Sequence, residues 1–292
     1  MKLVTFKNGT KSGIGALRDD GNVVDLAHDS GLPTTMREMV ALGDDGLTAA
    51  QRVLDDGSAP TVSEPKLCPP IRPSNNIMAV GKNYHAHAVE FSESGFDASQ
   101  TSTIPQHPIV FTKALSSVIA DGESIELSSD PSGTSDYEGE LGVVIGAGGM
   151  NIAAEDAFDH VYGYTVINDV TARAVQQDHV QFFLGKSAAT FGPMGPAIVT
   201  RDEVDDIKGT TLRTRVNGEL RQESKIDMLI FDIPTLISTI SRTVRFEPGD
   251  VIATGTPAGV GLGFDPPRFL QPGDVVEIDI EGIGTLTNPV IA

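Results

Sequence analysis

The sequence is poor in the groups that decide several function classes. It has one cysteine, Cys68, and no tryptophan among its 292 residues. A single thiol excludes an internal disulfide and any cysteine-rich metal centre. Basic residues are scarce: 21 Lys and Arg stand against 40 Asp and Glu, for a formal charge of −19. Nucleic-acid binding needs clustered cations that displace counterions, and no Lys/Arg run is present. The same acidity disfavours anionic membrane surfaces, so neither nucleic acid nor membrane is expected as a partner. No stretch approaches the ~20 apolar residues of a membrane helix. Only Leu3–Phe6 separate Lys2 from Lys7, too short for the apolar core of a secretory leader, and a cytoplasmic location is expected.

Glycine and proline, by contrast, are plentiful at 31 and 18, and they punctuate the chain with turns. Residues 1–70 read as a small β-rich module: short apolar runs at Leu3–Phe6, Ile14–Leu17 and Val23–Leu26, then helical patterns at Thr35–Leu42 and Gly46–Leu54. Pro65, Pro69, Pro70 and Pro73 mark a linker, because proline lacks a backbone donor and restricts its predecessor. In residues 71–292 strands are expected at Ile77–Val80, Ile109–Phe111, Tyr137–Ile145, Val161–Asp169 and Val275–Ile280, and helices at Ala153–Phe158, Thr171–Phe183 and Asp232–Ser241. Asn217-Gly218 suits a type I′ hairpin, whose central residues need positive φ. Strands do not alternate with helices, so the chain is expected to be α+β and mainly β. The polar stretch 91–105 reads as a lid segment.

Five segments carry chemistry. In Asp136-Tyr137-Glu138-Gly139-Glu140-Leu141, Glu138 and Glu140 are two apart and share a strand face, with Gly139 leaving the opposite face bare. A lone Glu-x-Glu is ordinarily a solvated strand face, but the apolar run Leu141–Ile145 implies burial just beyond the pair. The strand Val161–Asn168 ends at Asp169, which by itself is equally a turn or capping residue. Three carboxylates at the ends of buried strands would form a hard oxygen site suited to Mg²⁺, Mn²⁺ or Ca²⁺ rather than zinc. Arg173 and Gln176, three apart on a helix, share a face that either leans over this site or meets solvent. Lys186 sits in a Gly/Pro-framed segment able to hold it inward. On a helical turn His87 and Glu90 can form a dyad in which the carboxylate fixes the histidine tautomer; His85 and His87 as metal ligands rank lower, because positions two apart diverge on a helix. The loop Thr254–Gly261 offers backbone N–H groups and the Thr256 hydroxyl to a carboxylate, and lacks the Gly-Lys-Ser/Thr of a nucleotide phosphate loop.

In this order, Asn83-Tyr84-x-x-His87-x-x-Glu90, Tyr137-Glu138-x-Glu140-Leu141, Asn168-Asp169-x-Thr171-Ala172-Arg173-x-x-Gln176, Gly185-Lys186-Ser187 and Thr254-Gly255-Thr256-Pro257-x-Gly259-Val260-Gly261 resemble the fumarylacetoacetate hydrolase superfamily over about residues 74–292. The resemblance implies a mixed β-sandwich roll, commonly a homodimer, with Mg²⁺ or Mn²⁺ (Ca²⁺ in crystals) on Glu138, Glu140 and Asp169. It implies substrate binding by Arg173, Gln176 and Thr256, enolate stabilisation by Lys186, and water activation by His87 with Glu90. The expected activity is hydrolysis of a C–C bond in an acylpyruvate or related 2,4-dioxo acid. Oxaloacetate decarboxylation and 2-hydroxy-dienoate isomerisation are alternatives on the same enolate, and a metal-holding protein without turnover is a third class. Ala174 and Ala189 stand where the family often has Asp, which either leaves Arg173 and Lys186 freer for an anionic substrate or marks a reorganised part of the site.

Overall fold

The computed structural model describes residues 1–97 and 102–292. Of the expected lid stretch 91–105, residues 98–101 therefore lie outside the described residues. The strands form two main sheets, and the fold is mixed and mainly β, at 34% strand and 25% helix. At the centre of the larger sheet Gly139–Ile145 runs antiparallel to Val161–Asn168 on one side and to Val251–Ala253 on the other. Val161–Asn168 pairs next with Gly192–Thr200, and Val251–Ala253 lies parallel to Ile77–Gly81, which pairs with Ile109–Lys113. The N-terminal strands extend this same sheet, with Lys2 opposite Val199 and Leu3 opposite Ile198.

The smaller sheet holds Glu219–Lys225, Thr211–Val216, Val275–Ile280, Gly284–Ile291 and Ile125–Glu126. Asn217 and Gly218 have φ of 54° and 77°, the left-handed values of the expected hairpin turn. Strand alternation decides how the sheets meet. Leu141, Val143 and Ile145 point into one core with Leu212, Ile278 and Leu286 of the smaller sheet. Val144 faces a second core with Ile167, Ile198, Leu3 and Met39. The sequence between Glu138 and Glu140 is glycine for a packing reason. A Cβ on Gly139 would lie 2.3 Å from Thr214 Oγ1 and 3.1 Å from the Ile278 side chain, so that face is tightly packed and not bare.

One helical expectation is corrected. The helix foreseen over Thr171–Phe183 breaks up, because Thr171–Ala172 pairs antiparallel with Ser135–Asp136, and helices follow only at Arg173–His179 and Phe183–Lys186. The helix expected at Ala153–Phe158 is present as the 3₁₀ helix Ala154–His160. The helix Ile233–Ser241 begins as expected: Asp232 caps it by accepting the Thr235 N–H at 3.1 Å, and Pro234 sits in the first turn, where its missing donor costs nothing.

Candidate active site

Two neighbouring strand ends build the site. Gly139 pairs with Asn168 at the end of the central ladder, which sets Glu138 beside Asp169. Backbone and side chain then lock the pair. The Asp169 N–H donates to Glu138 O at 2.8 Å, and the Glu138 N–H donates to Asn168 Oδ1 at 3.0 Å. Glu138, Glu140 and Asp169 are all buried, and one carboxylate oxygen from each lies within 4.8 Å of the others.

Such a cluster needs positive charge. Lys186 Nζ lies 2.6 Å from both Glu138 Oε2 and Asp169 Oδ2. Lys113 Nζ lies 2.7 Å from Asp169 Oδ1 and also donates to Val170 O and Lys186 O. Arg173 binds Glu138 Oε1 through Nη1 at 2.6 Å, and Asp136 Oδ2 through Nε and Nη2, both at 2.9 Å. Burial pushes the Glu138 carboxyl up, but Lys186 and Arg173 outweigh it and hold the group at about 2. Glu140 is different. Burial first, then Asp169 and Glu138, push its carboxyl well above the ordinary range. Its direct hydrogen-bond partner is the Gly255 N–H, at 2.8 Å. The cations are therefore not left freer by Ala174 and Ala189: Arg173 is committed to Asp136 and Glu138, and Lys186 to Glu138 and Asp169.

The remaining candidates converge on the same cavity. His87, Gln176, Arg173, Lys186 and Thr256 line it with Glu138 and Glu140. His87 Nδ1 is 3.1 Å from Glu90 Oε2, and Glu90 Oε1 accepts the Gly259 N–H at 2.9 Å, so Glu90 ties the helix His85–Glu93 to the glycine-rich loop. His85 is exposed while His87 is buried, so the two do not share a site. Gln176 Oε1 is 3.4 Å from Arg173 Nη1, and the Thr256 hydroxyl accepts from Gln222 Nε2 at 2.7 Å. The enclosed space is only about 20 Å³, room for about one water. That is less than the volume of a keto acid.

Three structural partners were not foreseen. Asp136 anchors Arg173 and accepts the Gly261 and Leu262 N–H groups at 2.6 and 3.0 Å. Its place beside the Glu-x-Glu pattern was the available signal. Gln222 joins the Gly139 N–H to Thr256 from a hairpin strand with no motif of its own. Lys113, at the end of an ordinary apolar strand, carries no local signal.

The donor set fits a hard divalent cation. It is all carboxylate oxygen, it is closed to solvent, and among the described residues no ammonium or guanidinium lies within ion-pair distance of Glu140. What the fold and residues define is a buried carboxylate cage roofed by a histidine-bearing helix. The family model for the fumarylacetoacetate (FAA) hydrolase C-terminal domain matches residues 76–291. The chain is 41% identical to the oxaloacetate tautomerase YisK of Bacillus subtilis, over 99% of this chain and 100% of that one. It is 40% identical to the mitochondrial oxaloacetate tautomerase fahd2 of Xenopus laevis, over 100% and 90%. Among solved structures it is similar to a fumarylacetoacetate hydrolase of Exiguobacterium antarcticum, with a TM-score of 0.85, 40% identity, and coverage of 100% and 99%. It is also similar to a maleylpyruvate hydrolase of Sphingobium sp. SYK-6 in complex with manganese(II) and pyruvate, with a TM-score of 0.79, 29% identity, and coverage of 100% and 99%. The chain belongs to the fumarylacetoacetate hydrolase superfamily, an enzyme superfamily of hydrolases, isomerases and tautomerases.

Proposed function

We propose that this protein interconverts the keto and enol forms of a small 2-oxo acid, with oxaloacetate as the substrate. The observation that carries the reading is the cage itself: three buried carboxylates, one of which, Glu140, forms no ion pair among the described residues. Glu138, Glu140 and Asp169 would hold Mg²⁺, with Mn²⁺ as a substitute, and the ion would supply Lewis-acid polarisation of the substrate's 2-oxo group. The tautomerase names of two relatives similar over nearly their whole length support the choice of substrate.

The chain's own residues account for the proton traffic. Glu90 holds His87 Nδ1, which leaves the other ring nitrogen to take a proton from C3 of the keto acid. The C–H pair becomes the C2=C3 bond, and charge moves to the 2-oxygen. The Lys186 ammonium supports that charge, the electrostatic contribution that dominates such reactions. Return of that proton from His87 to the 2-oxygen, directly or through a water, gives the enol and a neutral histidine, and the reverse sequence restores the ketone. Phe91, Phe111 and Phe182 line the cavity and keep bulk water from the carbanion.

One observation favours a second reading, hydrolysis of the C–C bond in an acylpyruvate. The His87–Glu90 pair is equally suited to activate a water, and the cavity has room for one. Decarboxylation and dienoate isomerisation would use the same site through enolates of their own, the pyruvate enolate after loss of CO2 and a dienolate respectively. The test is ultraviolet-monitored conversion of enol to keto oxaloacetate with Mg²⁺ and with chelator, beside pyruvate release from acylpyruvates. Chelator-sensitive acceleration of the first supports the tautomerase, and pyruvate release alone supports the hydrolase. Absence of both refutes the enolate reading. We also infer a cytoplasmic homodimer, for which sedimentation should give twice the 30.8 kDa chain mass.

A further inference from the structure

A cavity of about 700 Å³ lies where the N-terminal strands meet the rest of the chain, and none of its lining residues lines the active-site cavity. Strand alternation builds one wall. Lys2–Asn8 pairs with Lys11–Leu17 and with Lys66–Cys68, so Lys7 stands opposite both Ser12 and Lys66, and Thr5 stands opposite Cys68. These five residues share one sheet face and line the cavity, while Val4 and Phe6 point the other way, into a core with Val23 and Ala197. The helix Met36–Ala41 supplies a second wall. Its Met39 and Val40 are buried in the core, and Arg37 and Ala41, four apart and so on one face, line the cavity. Arg72, next to the buried Ile71, and Pro248, in the turn before the strand Val251–Ala253, complete the enclosure.

The charges on these walls do not cancel. Each carboxylate lining the cavity already has a partner. Glu123 accepts the Ala120 N–H at 3.0 Å and pairs with Lys66 at 3.0 Å, Glu38 accepts the Thr35 hydroxyl at 2.5 Å, and Glu247 lies 3.8 Å from Arg245. Among the described residues no carboxylate lies within ion-pair distance of Lys7, Arg37 or Arg72. Lys7 and Lys66 are direct cross-strand partners, and like charges so placed repel unless negative charge comes between them. Glu123 answers Lys66 at contact distance and Lys7 only through its field. On a chain with 40 acidic and 21 basic residues, three cations without an ion pair at one cavity are a local excess of positive charge. At physiological salt the Debye length is about 8 Å, so the distant acids are screened and the lining cations set the field inside.

We propose that this cavity is a second binding site, for a small phosphate monoester held by Arg37, Arg72 and Lys7, with its organic group against Met36, Pro69 and Pro248. Guanidinium forks take phosphate oxygens two at a time, and a tetrahedral dianion answers several cations where a planar monocarboxylate answers one. Met36, Pro69 and Pro248 give the same cavity an apolar wall. Its volume falls within the range of about 300–1,000 Å³ typical of small-molecule sites. The site goes beyond the tautomerase reading and needs neither the cation of the carboxylate cage nor that reaction.

The test is calorimetry on the full chain in Mg²⁺ buffer, with phenyl phosphate as the probe and inorganic phosphate, benzoate and phenol beside it. Phenyl phosphate should bind once per chain and about 10-fold or more tighter than each of the other three, since burying the ring and pairing the dianion both contribute. Arg37→Ala and Arg72→Ala should each weaken it about 10-fold to 100-fold, the range for a lost hydrogen bond to a charged group, and Arg37→Lys should weaken it less than Arg37→Ala. Both arginines are exposed, so the variants should keep the wild-type thermal midpoint; if either does not, Lys7→Gln replaces it under the same criteria. No binding of phenyl phosphate at about 1 mM, or binding unchanged by these substitutions, would overturn the proposal. Inorganic phosphate or benzoate binding as tightly as phenyl phosphate would overturn the assignment to a phosphate monoester. A variant that changes the sedimentation mass would make this face a contact between subunits, and would overturn it as well.

Discussion

Replacing Glu140 by Gln should stabilise the metal-free protein while crippling its hold on a cation. The oxygens of Glu138, Glu140 and Asp169 lie within 4.8 Å of one another. At that spacing two unit charges repel by about 3 kcal/mol with an effective dielectric near 20. Burial opposes the ionisation of Glu140 most strongly, and it adds to two such repulsions, from Asp169 and Glu138, that outweigh the attraction of Lys186. Without a cation, the fold avoids this by keeping Glu140 protonated. Its folded pKa therefore lies above the unfolded 4.5, the unfolded chain releases the proton first, and the wild-type fold loses stability as pH rises above 4.5. Gln does not titrate, and its amide oxygen can still accept the Gly255 N–H. The variant's advantage should be small at pH 4.5 and grow as pH rises toward 7, by at most about 1.36 kcal/mol per pH unit. Urea unfolding of chelator-treated protein reads this difference directly. Mn²⁺ affinity should fall by more than about 10-fold to 100-fold. A variant less stable than wild type at pH 7 in chelator, or one that binds Mn²⁺ as well, would refute the electrostatic reasoning.

Other perturbations separate the parts of the site. His87→Ala should leave Mn²⁺ binding intact and lower turnover by about 10²–10⁴, the range for a lost general base; unchanged turnover would remove His87 from the chemistry. Lys113→Met breaks a fully buried pair with Asp169 and should cost about 3–5 kcal/mol in urea unfolding, so an unchanged midpoint would show that Lys186 alone balances Asp169. Gly255→Ala would set a Cβ 2.7 Å from Asn83 Cβ at φ +107°; crowding and strain together should cost about 2–4 kcal/mol, and an unperturbed thermal midpoint would contradict the close packing.

The carboxylate cage was largely legible because it rests on local pattern. Period-two spacing put Glu138 and Glu140 on one face, and an apolar strand delivered Asp169 to the same end of the sheet. The counter-charges were less legible. Arg173 and Lys186 were visible as residues of a motif, but their pairing depends on Asp136, Glu138 and Asp169 meeting across strands. Lys113 sits 73 residues before Lys186, whose carbonyl oxygen is its hydrogen-bond acceptor, and nothing in Ile109–Lys113 marks its lysine as buried. The helix from Thr171 failed for a related reason: pairing of Thr171–Ala172 with Ser135–Asp136 is a tertiary contact that overrides local propensity. The meeting of Leu3 with Ile198 across the larger sheet is likewise beyond any short-range signal.

The account depends most on whether Glu138, Glu140 and Asp169 bind a cation. Crystals grown with Mn²⁺ and measured near the manganese edge test this directly. The account predicts one anomalous peak bonded to an oxygen of each carboxylate, with the Lys186 ammonium drawn away from its present position between Glu138 and Asp169. A map without a peak among these three side chains, with Lys186 still bridging them, would contradict it.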